Sequence, residues 1–257
     1  MRRILTELYK LKRVWSLQWL TIAYFMFVSF FIYQKIVNHG SGVFDANLST
    51  PIDVSSLALI FFCAVNYCWS IPIGSHLAAA EFGYGTWSIS LNADRRGKVI
   101  GAKIATICCL CFVMVAMLVG LGATLALVGR RTALVGFSLP IFMGQISITA
   151  VSAIYCALLG FAIAFISKSV AAGNILGLGW IILNSMFYTR LAKGRYLTFD
   201  WYQSGLIGPL FKNLNRSPDL HIVSGNAFPW FVNILILLAF FTLITLLLTL
   251  INHHRDF

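Results

Sequence analysis

The sequence predicts an all-α, polytopic membrane protein: six transmembrane helices preceded by an N-terminal amphipathic elbow helix. Two observations predict it. The chain has 257 residues, 59% of them hydrophobic and only 11% charged, with a mean hydropathy of +0.84; soluble domains carry about a quarter charged residues. Its apolar residues also gather in long unbroken runs. The hydrocarbon core is roughly 30 Å thick, so a crossing helix needs about 20 mostly apolar residues. Hydrocarbon offers the backbone no hydrogen-bond partners, which leaves helices or a closed barrel. Unbroken apolar runs lack the alternation of barrel strands.

Taken in order, residues 1–14 come first. Ile4, Leu5, Leu8 and Leu11 fall on one helical stripe, and Arg2, Arg3, Glu7, Lys10 and Arg13 occupy much of the rest. Such a helix lies in the headgroup plane as an elbow leading into the first span, with Trp15 and Trp19 at the depth where indole rings anchor. The alternative is a simple basic flank. Span one, 15–36, is too long for a cleaved leader and lacks a small-residue cleavage site, so it reads as retained.

Span two, 54–79, holds Pro72, which deletes a backbone hydrogen bond and predicts a kink. It also places Asn66, Ser70 and Gly74 at spacing four. Span three is 104–128. Span four, 141–166, carries Gln145, Thr149 and Ser152 on one face. Span five, 170–188, contains Gly173 and Gly177, a G-x-x-x-G in apolar context. Span six, 230–251, has Thr242, Thr245 and Thr249 on one face. Small and hydroxyl residues commonly form helix-packing surfaces in membranes; the rival reading makes Asn66, Ser70, Gln145 and Thr149 part of a substrate pathway. The long 189–228 segment is expected outside. Its stretch 199–211 is amphipathic and interrupted at Gly205, Gly208 and Pro209, which suits a re-entrant or interfacial hairpin as well as an ordinary loop. The whole chain, 1–257, reads as a single transmembrane domain.

Lys and Arg counts orient the bundle, because short cytoplasmic segments retain them. With the N-terminus inside, segments 1–14, 81–103, Lys168 and Arg255 hold eleven, against three in the short outer loops (Lys35, Arg130 and Arg131). Both termini are therefore expected in the cytoplasm and the chain in the plasma membrane. The net charge of +11 then points to anionic membrane lipid as partner, not to nucleic acid, since the basic residues are split among membrane flanks. No ionisable residue is stranded mid-span, which argues against ion-coupled transport.

A search for catalytic groups returns little. No H-E-x-x-H is present, and His76 and Glu81 stand five apart without the second His of such a zinc site. There is no G-x-S-x-G elbow. The six cysteines (63, 68, 108, 109, 111 and 156) all fall in predicted spans, where free Cys behaves as a small apolar residue, and their spacing is not that of a zinc site. No catalytic residue, metal ligand or cofactor is assigned to this chain. A G-x-x-x-x-G-K-[ST] phosphate loop is also missing, so any ATP hydrolysis belongs to another polypeptide.

The segment 81–98, EFGYGTWSISLNADRRGK, is the most informative stretch. Its basic residues are explained by the topology rule alone, but Phe82, Tyr84 and Trp87 beside Glu81 are not. Glu81, Gly85 and Thr86 followed by Arg95 or Arg96 and by Lys103 match a Glu-x3-Gly-Thr, Arg, Lys pattern. With the basic amphipathic N-terminus and six spans, the chain resembles the membrane subunit of type 2 ABC exporters. The run usual before the arginine, Leu-Leu-x-x-Pro, is absent here; the chain reads Ser90-Leu91-Asn92-Ala93-Asp94.

The resemblance implies that 81–98 is a cytoplasmic coupling segment that docks on a separate ABC ATPase dimer, which holds the ATP and Mg. Glu81, Phe82, Gly85, Thr86, Trp87, Arg95, Arg96 and Lys98 are the coupling residues it implies. It further implies a second permease copy or a related permease. The exported substrate is amphipathic: an antimicrobial peptide, as in lantibiotic immunity, a drug or a lipid. Two rivals stand beside it. A membrane-embedded lipid-processing enzyme would use His76 and Glu81 and act without an ATPase; a non-transporting scaffold or channel would show a partner-free role.

Overall fold

The computed structural model describes residues 2–37, 51–83, 96–128, 138–190, 199–211 and 228–254. Among them every regular element is a helix and no strand occurs. In chain order these are α1 (Arg2–Lys12), α2 (Trp15–Val37), α3 (Pro51–Val65), α4 (Tyr67–Gly83), α5 (Arg96–Val128), α6 (Leu139–Ser167), α7 (Val170–Arg190), α8 (Phe199–Leu210) and α9 (Trp230–His254).

Among the described residues four helices, α2, α5, α6 and α9, are long and apolar enough to cross a membrane, and five spans result if the bent pair α3–α4 counts as one. The chain is thus a membrane protein. The expected fifth span falls on α7, whose apolar part, Val170–Asn184, is roughly 22 Å long at 1.5 Å per residue and falls short of the core thickness.

Span two is bent by 59°, and the bend lies at Asn66 rather than at Pro72. Pro72 sits inside α4 without breaking it. Asn66 begins the new helix: its carbonyl accepts from Trp69 N at 3.0 Å and Ser70 N at 2.8 Å, as the residue before a helix does. Its side-chain amide is engaged elsewhere, across the bundle, where the sequence has no local signal.

The expectation for span three also needs correcting. α5 begins at Arg96, eight residues before the predicted edge. At 1.5 Å per residue its 33 residues extend about 50 Å, well beyond the roughly 30 Å of hydrocarbon. Hydropathy ends where the bilayer ends, but the helix continues into the polar zone. A further correction concerns 199–211: α8 runs unbroken through Gly205 and Gly208, with Pro209 in its last turn.

α6 is the hub. It contributes the most buried of the candidate spans, 72% of its apolar window against 22% for α2 and 17% for α9. It starts with Ser138 in extended conformation and a proline in its first turn, where the missing N–H costs nothing. It stops at Lys168, whose φ of 56° is the left-handed stop of a helix C-terminus. Ser169 Oγ then accepts from Ala172 N at 3.3 Å to start α7.

Close backbone approach joins α4, α6 and α7. A Cβ on Gly160 would lie 2.5 Å from the Ile71 carbonyl oxygen, and one on Gly74 would overlap the Ala157 carbonyl. Gly173 and Gly177 of α7 lie against the side chains of Ser75 and Ile71 of α4, so the G-x-x-x-G is a packing face. The threonines of span six differ: Thr242 and Thr245 donate to the carbonyls of Leu238 and Phe241 on their own helix. On the far side, α8 packs between α6 and α9 through a stack of Tyr155 on Phe199 (ring centroids 3.7 Å apart), flanked edge-on by Phe240 and Phe241.

Candidate functional site

One end of the bundle gathers α1, the C-terminus of α4, the N-terminus of α5 and the α6–α7 corner. Its centre is Lys103, a lysine only 1% exposed. Burying an unpaired ammonium is prohibitively costly, and the fold meets that demand with two acceptors. Lys103 Nζ donates to Glu7 Oε2 at 3.1 Å and to the Leu77 carbonyl at 2.7 Å. One ammonium therefore ties α5 to α1 and to α4.

Glu7 is the other half of this knot. The sequence places it on the polar side of α1; the structure turns it inward, buried, while Leu5 on the expected apolar stripe is 60% exposed. The inward face is Ile4, Glu7, Leu8 and Leu11, at spacings of three and one, which brings a carboxylate to the middle of an apolar contact. Glu7 Oε1 also accepts from Lys10 at 2.8 Å. Burial by itself would raise the Glu7 carboxyl, but Lys103 and Lys10 outweigh it and hold the group below its ordinary value. The carboxylate is charged at neutral pH.

The expected coupling residues divide into three groups. Glu81 and Phe82 belong to the last turn of α4, and Arg96 and Lys98 to the first turn of α5, with Lys98 exposed. Both pairs were expected in the connecting segment; they are helical continuations of its two flanks. Gly85, Thr86, Trp87 and Arg95 lie outside the described residues. Phe82 packs on Phe165 of α6 (6.0 Å between centroids) and under the Lys168 ammonium at 5.9 Å. The two ends of the segment are thus each fastened: one by Phe82 to the α6–α7 corner, the other by Lys103 to α1 and α4.

Asn66, Ser70, Gln145 and Thr149 are all buried, and they lie along a seam between the α3–α4 span and α6. Asn66 Nδ2 donates to Ser152 Oγ at 2.6 Å, and the Cys156 thiol donates to Asn66 Oδ1 at 3.3 Å. Ser56 donates to Gln145 Oε1 at 2.6 Å, while Gln145 Nε2 reaches the Leu210 carbonyl at the end of α8, 2.8 Å away. Thr149 donates back to the Gln145 carbonyl and receives the Cys63 thiol. Ser70 Oγ is buried without a hydrogen-bond partner. The polar face of α6 is therefore an inter-helix seam, and none of the four residues lines the cavities between α2 and α5.

His76 sits in α4 with Nδ1 buried and unpartnered. Among the described residues no three His, Cys, Asp or Glu side chains converge as a metal site. Nothing in the sequence pairs Glu7 with Lys103, which stand 96 residues apart. The only signal was that Lys103 is the sole charged residue of α5 past Lys98. What the arrangement can do is mechanical: it joins the ends of one connecting segment to four helices. No family model, characterised protein or solved structure matches the chain.

Proposed function

We propose that the chain is the membrane permease subunit of an ATP-driven type 2 ABC exporter, with six spans, an α1 elbow at the inner interface and both termini cytoplasmic, in the plasma membrane. A separate ATPase dimer carries ATP and Mg. It docks on 81–98, where Trp87, Ile89 and Leu91 offer apolar contacts and Arg95, Arg96 and Lys98 meet acidic groups or phospholipid. Two permease copies, or this chain and a related one, form the translocating unit, and an amphipathic substrate such as an antimicrobial peptide is expelled.

The single observation that carries this reading is the double fastening of the segment's ends. A lever works only if its arm is rigid with what it moves. α4 and α5 continue as helices to within a short connection of each other, and Phe82 and Lys103 lock them to α6, α7 and α1. Displacement of the segment is then passed to most of the bundle at once.

The test is association. The chain, purified with its candidate ATPase, retains it; a variant with 81–98 replaced by a neutral linker loses it. Equal retention by both would overturn the reading. Activity on lipid by the chain alone would favour the enzyme instead.

A further inference from the structure

We infer that the lateral groove between α2 and α5 is a binding site for one anionic glycerophospholipid of the leaflet on the α1 side. Two adjoining cavities form the groove, about 430 and 540 Å³, each within the roughly 300–1,000 Å³ of small-molecule sites. They share Thr21, Ile22 and Met117. The first runs from Leu11 and Gln18 past Val113, and the second continues to Phe25, Ser29 and Leu121.

Its length identifies the occupant. From Gln18 to Ser29 the groove follows α2 for about 16 Å at 1.5 Å per residue. One leaflet's share of a hydrocarbon core of roughly 30 Å is about 15 Å. The lining is almost wholly apolar. Of its polar residues, Thr21 and Trp69 are paired, the indole donating to Thr21 Oγ1 at 3.1 Å and that hydroxyl donating to the Leu17 carbonyl at 2.8 Å, Gln18 donates to the Lys12 carbonyl at the mouth, and Ser29 stands at the far end. An extended acyl chain suits such walls, and a polar solute does not.

The charge at the groove's mouth selects the headgroup. Between the lining residues Leu11 and Leu17 the chain turns from α1 into α2, and Gln18 Nε2 donates to the Lys12 carbonyl there. Lys12 and Arg13 are exposed at this corner. Arg13 lies over the Tyr9 ring at 4.6 Å and donates to its hydroxyl at 2.6 Å, which holds the guanidinium in place and leaves it further N–H donors for a phosphate. Glu7, the acidic residue of α1, is turned inward onto Lys103 and Lys10 and does not oppose them. Trp15 and Trp19, 71% and 61% exposed, follow at interfacial depth. The site does not depend on an ATPase partner.

Native mass spectrometry of the full chain, released from nanodiscs of equal phosphatidylglycerol and phosphatidylcholine with matched acyl chains, tests it. The wild type retains one phosphatidylglycerol per chain, at least fivefold over phosphatidylcholine. Lys12→Ala with Arg13→Ala, both exposed and outside the packing, removes that preference. Ile22→Trp with Met117→Phe, which fills the groove, removes the retained lipid itself. Equal retention of the two lipids by the wild type, or wild-type retention by the filled groove, overturns the site. Loss of the ATPase in the linker variant above leaves this result untouched, so the two readings fail separately.

Discussion

Glu7→Gln and Lys103→Met, made singly and together, measure what the buried pair contributes. At 3.1 Å and an effective dielectric near 20, opposite unit charges attract by about 5 kcal/mol, and desolvation of both ions takes back several of these. The two singles are not equal. Lys103 has a side chain only 1% exposed, whereas that of Glu7 is 10% exposed and keeps Lys10. Glu7→Gln takes the carboxylate away from the deeper charge, leaving it the Leu77 carbonyl, and costs about 3–5 kcal/mol. Lys103→Met leaves a carboxylate with another partner and costs about 1–3 kcal/mol. In the double variant neither buried charge remains, and the loss is about 2 kcal/mol or less, because neutral replacement of a buried pair is tolerated. The cycle therefore yields a coupling of about 2 kcal/mol or more, read by denaturant unfolding in mixed micelles. A coupling under about 0.5 kcal/mol, the level of an exposed pair, would refute the argument that the pair is desolvated and binds α1 to α5.

Three further outcomes follow from the same geometry. The Glu7 carboxyl is held below its ordinary value, so its contribution is fully present above the unfolded value of about 4.3 and is lost as pH falls through the lower folded value; acid titration of unfolding shows this loss in the wild type and not in Glu7→Gln. Gly160→Leu opposes backbone to backbone across α4 and α6 and lowers stability by about 3 kcal/mol or more, whereas Gly101→Ala, with open space around it, gains about 0.5–1 kcal/mol; equal effects at the two sites would contradict the packing described. Gln145→Leu removes the bond to the Leu210 carbonyl and the acceptor of Ser56, costing about 1–2 kcal/mol, and raises hydrogen exchange in α8 more than in α5.

The helices themselves were legible because hydropathy is a local property, and the apolar runs matched α2, α6 and α9 closely and the C-terminal end of α5. What escaped was set by partners distant in the chain. Pro72 advertised a kink, yet the bend lies at Asn66, whose side-chain amide donates to Ser152 and accepts from the Cys156 thiol, both on α6. Arg96 and Lys98 looked like loop residues because a helix that outruns the bilayer becomes polar without ending. Glu7 was assigned outward by the rule that charges face water, and its inward turn becomes sensible only once Lys103, 96 residues away, is known to lie beneath it. By contrast, the seam residues Gln145 and Thr149 were recognisable as one face, because their spacing is helical; that they face α3 and the end of α8 was not.

That separation of 96 residues also sets an order of assembly. A ribosome adds about 5–20 residues per second, so Glu7 emerges on the order of 5–20 s before Lys103 exists. During that interval α1 has no seat, and its charged and apolar groups are both content at the membrane surface. α5, for its part, carries an ammonium that is expensive to seat in the bundle until α1 arrives. The N-terminal helix is thus made early and gains its seat only once α5 has followed it. A nascent chain that loses it exposes a buried charge, a defect that membrane quality control can read directly.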